Sequence, residues 1–190
     1  MNLYRQRTFS MMDQILRPHG PFGDTLDFGC GDGWFTSRMK SEGLAHAIVP
    51  LDVTRRKKNY ADTVLYSGDT LPFQDRTFDL VYAIDVLHHC PDPAHFVREI
   101  ARCSRRWLLI KDHTYRSLMG WLTLCALDEL GNRRFSIPSL YKYQRQWEWL
   151  PLIEEQGFKC VTTIHPAPCH QGLLGSCTNS LQFIGLWCKS

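Results

Sequence analysis

Seven consecutive residues, Asp27-Phe28-Gly29-Cys30-Gly31-Asp32-Gly33, carry the densest chemical signal in the chain. Alternating glycines let a backbone turn tightly and bring its N–H groups against a ligand. A dinucleotide pyrophosphate wants the spacing G-x-G-x-x-G, whose third glycine allows close helix–strand packing. Here the sixth position is the bulky Trp34, and Asp32 would repel a pyrophosphate. The spacing G-x-G-x-G, with Asp27 two residues earlier, suits a zwitterionic ligand end instead. Its carboxylate would sit near the backbone N–H groups and its ammonium near Asp27. A turn serving only the fold would show the same glycines.

Two more acids extend this signal. Asp52 closes Ile48-Val49-Pro50-Leu51-Asp52, at the distance past the glycines where an acid holds a ribose diol. Strand-end aspartates are also common as helix caps, and Asp52-Val53-Thr54 could be one. Asp69, in Ser67-Gly68-Asp69-Thr70-Leu71-Pro72-Phe73, can accept from an exocyclic adenine amine, with Leu71 or Val53 against the ring. Three acids at successive strand ends form one line of sites along the carboxyl edge of a sheet, where open α/β folds bind ligands. His88, His89 and His113 fall on the same edge and are candidates for a general base. Each has a structural alternative as a hydrogen-bonded histidine. Farther on, Asp128, Asn132 and Arg133 can bind a polar acceptor or simply end a helix. Tyr141, Tyr143, Trp147 and Trp149 are lid aromatics or packing residues.

Taken together, Asp27–Gly33, Asp52, residues 68–73, Arg76-Thr77-Phe78-Asp79-Leu80-Val81 and Asp85-Val86-Leu87-His88-His89 resemble class I S-adenosylmethionine-dependent methyltransferases. The likeness is greatest to the small-molecule group that includes ubiquinone- and menaquinone-type enzymes, and it runs from about Asp24 to His113. It implies a Rossmann-like α/β three-layer sandwich with strand order 3-2-1-4-5-7-6, the seventh strand antiparallel. It further implies S-adenosylmethionine as cofactor. Asp27, Gly29 and Gly31 would face its methionine part, Asp52 its ribose, and Asp69 with Thr70 its adenine. Asp85 and His88 would line the methyl group. Two features depart from the resemblance: the segment after Asp52 is too short for a full helix, and Arg102-Cys103-Ser104-Arg105-Arg106 replaces the Pro-Gly-Gly turn common before the fifth strand.

The elements that must position these residues read as alternating helices and strands, hence a mostly parallel sheet covered on both faces. Strands are expected at Thr25–Phe28, His46–Val53, Val64–Ser67, Phe78–Ile84, Trp107–Ile110, Cys160–Ile164 and Leu181–Trp187. Helices are expected at Tyr4–Leu16, Trp34–Ser41, Pro93–Cys103, Ser117–Leu130 and Gln144–Gln156, the last with Pro151 near a kink or break. The leading helix, with Tyr4 and Arg5, is placed to cover the cofactor. Between the final two strands the Pro/Gly/Ser-rich stretch leaves no room for a helix.

Composition narrows the function. With 190 residues, 44% hydrophobic and 22% charged, the chain suits one domain spanning 1–190, with a cofactor half at 24–113 and a substrate rim after it. A net charge of +3 in short basic runs, without interleaved aromatics, argues against nucleic acid. The polar start and the lack of a spanning apolar run point to a cytoplasmic protein, monomer or homodimer, acting on a small-molecule partner. None of the eight cysteines forms a C-x-x-C pair, so buried free thiols are expected and no metal site. Two rival functions stay open: a cofactor-binding partner subunit without turnover, and a nicotinamide-dependent reductase.

Overall fold

The computed structural model describes residues 2–132 and 139–189; Arg133 and Arg134, and the side chain of Asn132, lie outside the described residues. Helix α1 (Leu3–Leu16) starts on an Asn2 cap that accepts from the Arg5 N–H, and buries Phe9, Met12 and Leu16 on one face. Then follow β1 (Phe22–Phe28), α2 (Trp34–Ser41), β2 (Ala45–Asp52) and β3 (Val64–Leu65). Residues 53–63 hold no helix, as expected. Strand β4 (Phe78–Ile84) leads through a single 3-10 turn (Leu87–His89) to α3 (Pro93–Cys103), capped by Asp92 with a proline in its first turn.

Helix α3 runs without a connecting residue into β5 (Ser104–Tyr115), which is far longer than the expected Trp107–Ile110. The Pro-Gly-Gly turn is therefore absent because nothing remains for it to connect. The chain continues through α4 (Leu118–Asn132), β6 (Gln144–Arg145), α5 (Leu150–Glu155), β7 (Phe158–Ile164), α6 (Gly172–Thr178) and β8 (Gln182–Lys189).

The sheet order is β3-β2-β1-β4-β5-β8-β7, with β8 antiparallel to both its neighbours and β6 added beside the far end of β5. With β8 taken as the seventh expected strand, this is the order the sequence implied. Period-two alternation sorts the core. Val81, Ala83, Leu108, Ile110 and Phe183 face α3 and α5, whereas Leu80, Tyr82, Leu109, Ile184 and Leu186 face α1 and α2.

Two expectations fail. Gln144–Gln156 is not one helix: Gln144 and Arg145 pair with Thr114 and Tyr115 as β6, and Gln146 and Trp147 take positive φ. Pro151 then sits in the first turn of the short α5, where its missing N–H costs nothing, so no kinked helix is needed. The stretch between β7 and β8 does hold a helix, α6, because Gly172 at φ +57° turns the chain into it. All eight cysteines are free; Cys30, Cys90, Cys103 and Cys169 are buried, but Cys160 and Cys177 are exposed.

Candidate active site

The carboxyl ends of β1, β2, β4 and β5 converge on one edge. After β1 the chain turns on Gly29, Gly31 and Gly33, all left-handed at φ +70°, +58° and +73°. Gly29 and Gly33 are required by packing: an added Cβ would stand 2.1 Å from Val86 or 2.7 Å from Ala61. Gly31 differs. A Cβ there would meet nothing within 4 Å, so its backbone faces open space. Such a cradle fits a ligand lying against the chain.

Asp27 is buried beneath this turn, 2% exposed, and accepts from the Thr36 hydroxyl at 2.5 Å. Burial pushes its carboxyl up to about 7, against the opposing pull of that hydrogen bond. Asp52 is also buried. One of its oxygens accepts from Gly31 N–H at 2.8 Å and the other from Thr54 N–H at 3.0 Å, so it both braces the glycine turn and caps its own. Asp32 is taken by Arg5 at 2.7 Å and by the Trp34 N–H. Val53, Asp69 and Thr70 are exposed on the same side, and Leu71 is buried. Their loop is tied down from α3, since Glu99 accepts from Leu71 N–H and Arg102 donates to the Leu71 and Phe73 carbonyls.

Past β4, Asp85 adopts φ +51° and meets a cation that the sequence reading did not single out. Lys111, 0% exposed, donates to Asp85, to the Tyr4 hydroxyl and, at 2.7 Å, to Gln182 Oε1. Tyr4 in turn donates to Asp85 at 2.7 Å. Burial works against the Asp85 charge, but Lys111 outweighs it and lowers the carboxyl pKa. The available signal was a lysine set directly after four apolar residues of a central strand.

The three sequence-predicted histidines come together. Ring centroids of His88 lie 4.1 Å from His89 and 4.7 Å from His113, with Tyr143 at 5.3 Å. Buried His88 donates Nδ1–H to Asp112 at 2.6 Å. Asp112 also accepts from the N–H groups of Leu87 and His113. Burial would lower the His88 pKa, yet Asp112 and then Asp128 outweigh it and raise it to about 10. Burial and then Lys111 and His88 push His113 down to about 3, and burial and His88 lower His89. Both His89 and His113 keep Nδ1 buried without a hydrogen-bond partner. Asp128, on α4, accepts from the Tyr143 hydroxyl at 3.0 Å. Trp149 belongs to the core and Trp147 packs on Phe183 and His165; Tyr141 donates to Glu129. A cavity of about 550 Å³ opens at the opposite edge, near Phe22, Arg105 and Lys189, away from these groups.

Residues 26–106 match the family model described as a methyltransferase domain. With the sheet order and the glycine–acid edge, this match makes the stretch similar to class I S-adenosylmethionine-dependent methyltransferase domains. Among particular proteins, the chain is 35% identical over 109 residues to the ubiquinone biosynthesis O-methyltransferase of Sodalis glossinidius, covering 48% of this chain and 41% of that one. It is 30% identical over 93 residues to the 27-O-demethylrifamycin SV methyltransferase of Amycolatopsis mediterranei, covering 42% and 34%. The matches thus span about a third to two-fifths of these relatives. The fold matches the S-adenosylmethionine-dependent methyltransferase of Mesorhizobium loti with a TM-score of 0.68 at 14% identity, over 96% of this chain and 98% of that one. No helix among the described residues is long and apolar enough to cross a membrane.

Proposed function

We propose that the chain, as one domain over 1–190, transfers a methyl group from S-adenosylmethionine to a small-molecule or lipid-like acceptor. One observation carries the reading: the open backbone at Gly31 is held by Asp52 and flanked by Asp27 and Asp85, a row of acids along one sheet edge. When bound, the cofactor supplies an electrophilic methyl group on a sulfonium.

In this reading Asp27, Gly29 and Gly31 hold the amino-acid end. Asp52 takes the ribose, and Asp69, Thr70, Leu71 and Val53 take the adenine. Asp85 and His88 lie toward the methyl group. Displacement at a sulfonium carbon is mostly alignment and exclusion of water, and Tyr4 and Arg5 of α1 close over the edge through Asp85 and Asp32. Of the three histidines, His89 is the candidate to receive a proton from an acceptor, because Asp112 raises the pKa of His88 and burial pushes that of His113 down to about 3. The named relatives that methylate oxygen on small molecules support an acceptor of that kind. A cytoplasmic monomer or homodimer fits the same reading.

Calorimetric titration with S-adenosylhomocysteine and with NADH tests it. Binding of S-adenosylhomocysteine, weakened in Asp27→Ala and Asp52→Ala, is expected; binding of NADH alone would sink the proposal. Release of S-adenosylhomocysteine across a panel of hydroxylated acceptors would then identify the substrate class.

A further inference from the structure

The amino ends of β1, β4 and β5 enclose the cavity of about 550 Å³, one strand length, about 20 Å, from the glycine turn. That volume falls in the range of pockets that hold small molecules, about 300–1,000 Å³. Arg76, Arg105, Arg106 and Lys189 line it, with Asp79 as the one acid in the lining. Four cations against one acid is an excess of three charges, the same as the net charge of the whole chain, +3. The remainder of the chain is therefore balanced, and the positive field gathers at this concavity.

Its walls are fixed by the fold. Arg105 donates to Asp79 at 2.5 Å and to the carbonyls of Arg76 and Thr77 at 3.2 and 3.1 Å. Gly23 makes room for that carboxylate, since a Cβ there would stand 2.4 Å from Asp79 Oδ2. Trp107 packs against Phe22, against His19 at 4.5 Å between ring centroids, and under Arg106 at 5.5 Å. Arg76 takes φ +56°, uncommon for arginine, and donates its backbone N–H to the Arg102 carbonyl at 2.8 Å. Asp79 satisfies Arg105. Among the described residues no carboxylate pairs with Arg76, Arg106 or Lys189.

We propose that this cavity binds a small, multiply charged phosphorylated compound, at a site separate from the methyl-transfer edge. A phosphate group offers three strong acceptor oxygens and up to two charges, so it bridges guanidinium groups from two segments as a single carboxylate does not. Phe22 and Trp107 give the organic part of such a ligand an apolar wall. A nucleic acid or an anionic bilayer would be met by cations spread along a stripe or flat face; these ring a concavity. Arg105 and Arg106 read in sequence as one short basic run. Arg76 and Lys189 join them only through the parallel β4–β5 and antiparallel β5–β8 pairings.

Pyrophosphate is titrated into the full chain by calorimetry at low ionic strength, with citrate as a polyanion that lacks phosphate. One pyrophosphate per chain is expected, bound at least ~10-fold more weakly by Arg106→Gln and by Arg76→Asn, with citrate weaker than pyrophosphate in the unaltered chain. Asparagine tolerates the left-handed backbone at position 76, so that variant keeps its fold. Arg98→Gln removes the same charge from an exposed position on α3 and should bind as the unaltered chain does. No saturable binding, equal weakening in Arg98→Gln, or citrate bound as tightly as pyrophosphate overturns the proposal. So does sedimentation with phosphatidylglycerol vesicles, or an oligonucleotide gel shift, that Arg106→Gln abolishes, since the occupant would then be a macromolecule. S-adenosylhomocysteine is titrated with pyrophosphate present. Mutual exclusion overturns the separate site; pyrophosphate binding without S-adenosylhomocysteine binding keeps the site and removes the methyl-transfer reading alone.

Discussion

The Asp112 carboxylate lies 2.6 Å from Nδ1 of His88, twenty-four residues earlier in the chain, and so ties the end of β5 to the turn after β4. Both side chains are almost wholly buried. Removing one partner of such a pair leaves the other charge uncompensated. Asp112→Ala should therefore cost about 3–5 kcal/mol in urea denaturation. A loss below about 1 kcal/mol would mean that the carboxylate has no structural hold on His88.

Gly29 and Gly31 share a left-handed backbone but not a neighbourhood. Gly29→Ala drives a methyl group into Val86, on top of a backbone cost of about 1–2 kcal/mol, and should abolish folding or lower Tm sharply. Gly31→Ala carries the backbone cost alone and should fold. Its methyl group projects into the space proposed for the ligand, so S-adenosylhomocysteine affinity should drop at least tenfold. Unchanged affinity in folded Gly31→Ala would move the ligand away from this turn.

Asp27 gives a pH dependence of defined sign. Its folded-state pKa, about 7, stands above the ordinary 3.8, so the folded chain binds the proton more tightly than the unfolded one. The stability this confers is complete below the ordinary value and is lost as pH rises through about 7. At about 1.4 kcal/mol per unit, the effect is on the order of 4 kcal/mol. Asp27→Asn should flatten the fall in stability across that window, as followed by urea titrations at several pH values. An unchanged slope would show that Asp27 titrates normally.

Lys111 and Asp85 offer a double-mutant test. Lys111→Met leaves Asp85 and Gln182 facing an apolar group and should cost about 3–5 kcal/mol. Adding Asp85→Asn removes the orphaned charge and should restore part of that loss. Additive losses, measured by thermal unfolding, would show that the two residues act independently.

The glycine turn was legible because a short motif fixes its backbone, and the strand order followed from the family resemblance rather than from any one segment. His88, His89 and His113 were legible as a set on one edge. Their partners were not. Asp112 pairs with the His88 ring rather than with the ring of its neighbour His113, and Lys111 reaches Tyr4, Asp85 and Gln182 on three separate segments. Periodicity also failed at Gln144–Gln156, where pairing with Thr114 and Tyr115 overrides an apolar pattern that reads as helix. Long-range pairing leaves no mark within a short window.

Strand β8 has a consequence for how the chain is made. It lies between β5 and β7, with Trp107 through His113 paired to Cys188 through Gln182. Until residues 182–189 leave the ribosome, β5 presents a bare apolar edge and β7 a bare edge to the surrounding cell. Such edges recruit strands from other molecules. Protection by a chaperone, or crowding during rapid expression, should thus govern the yield of this protein more than its final stability does.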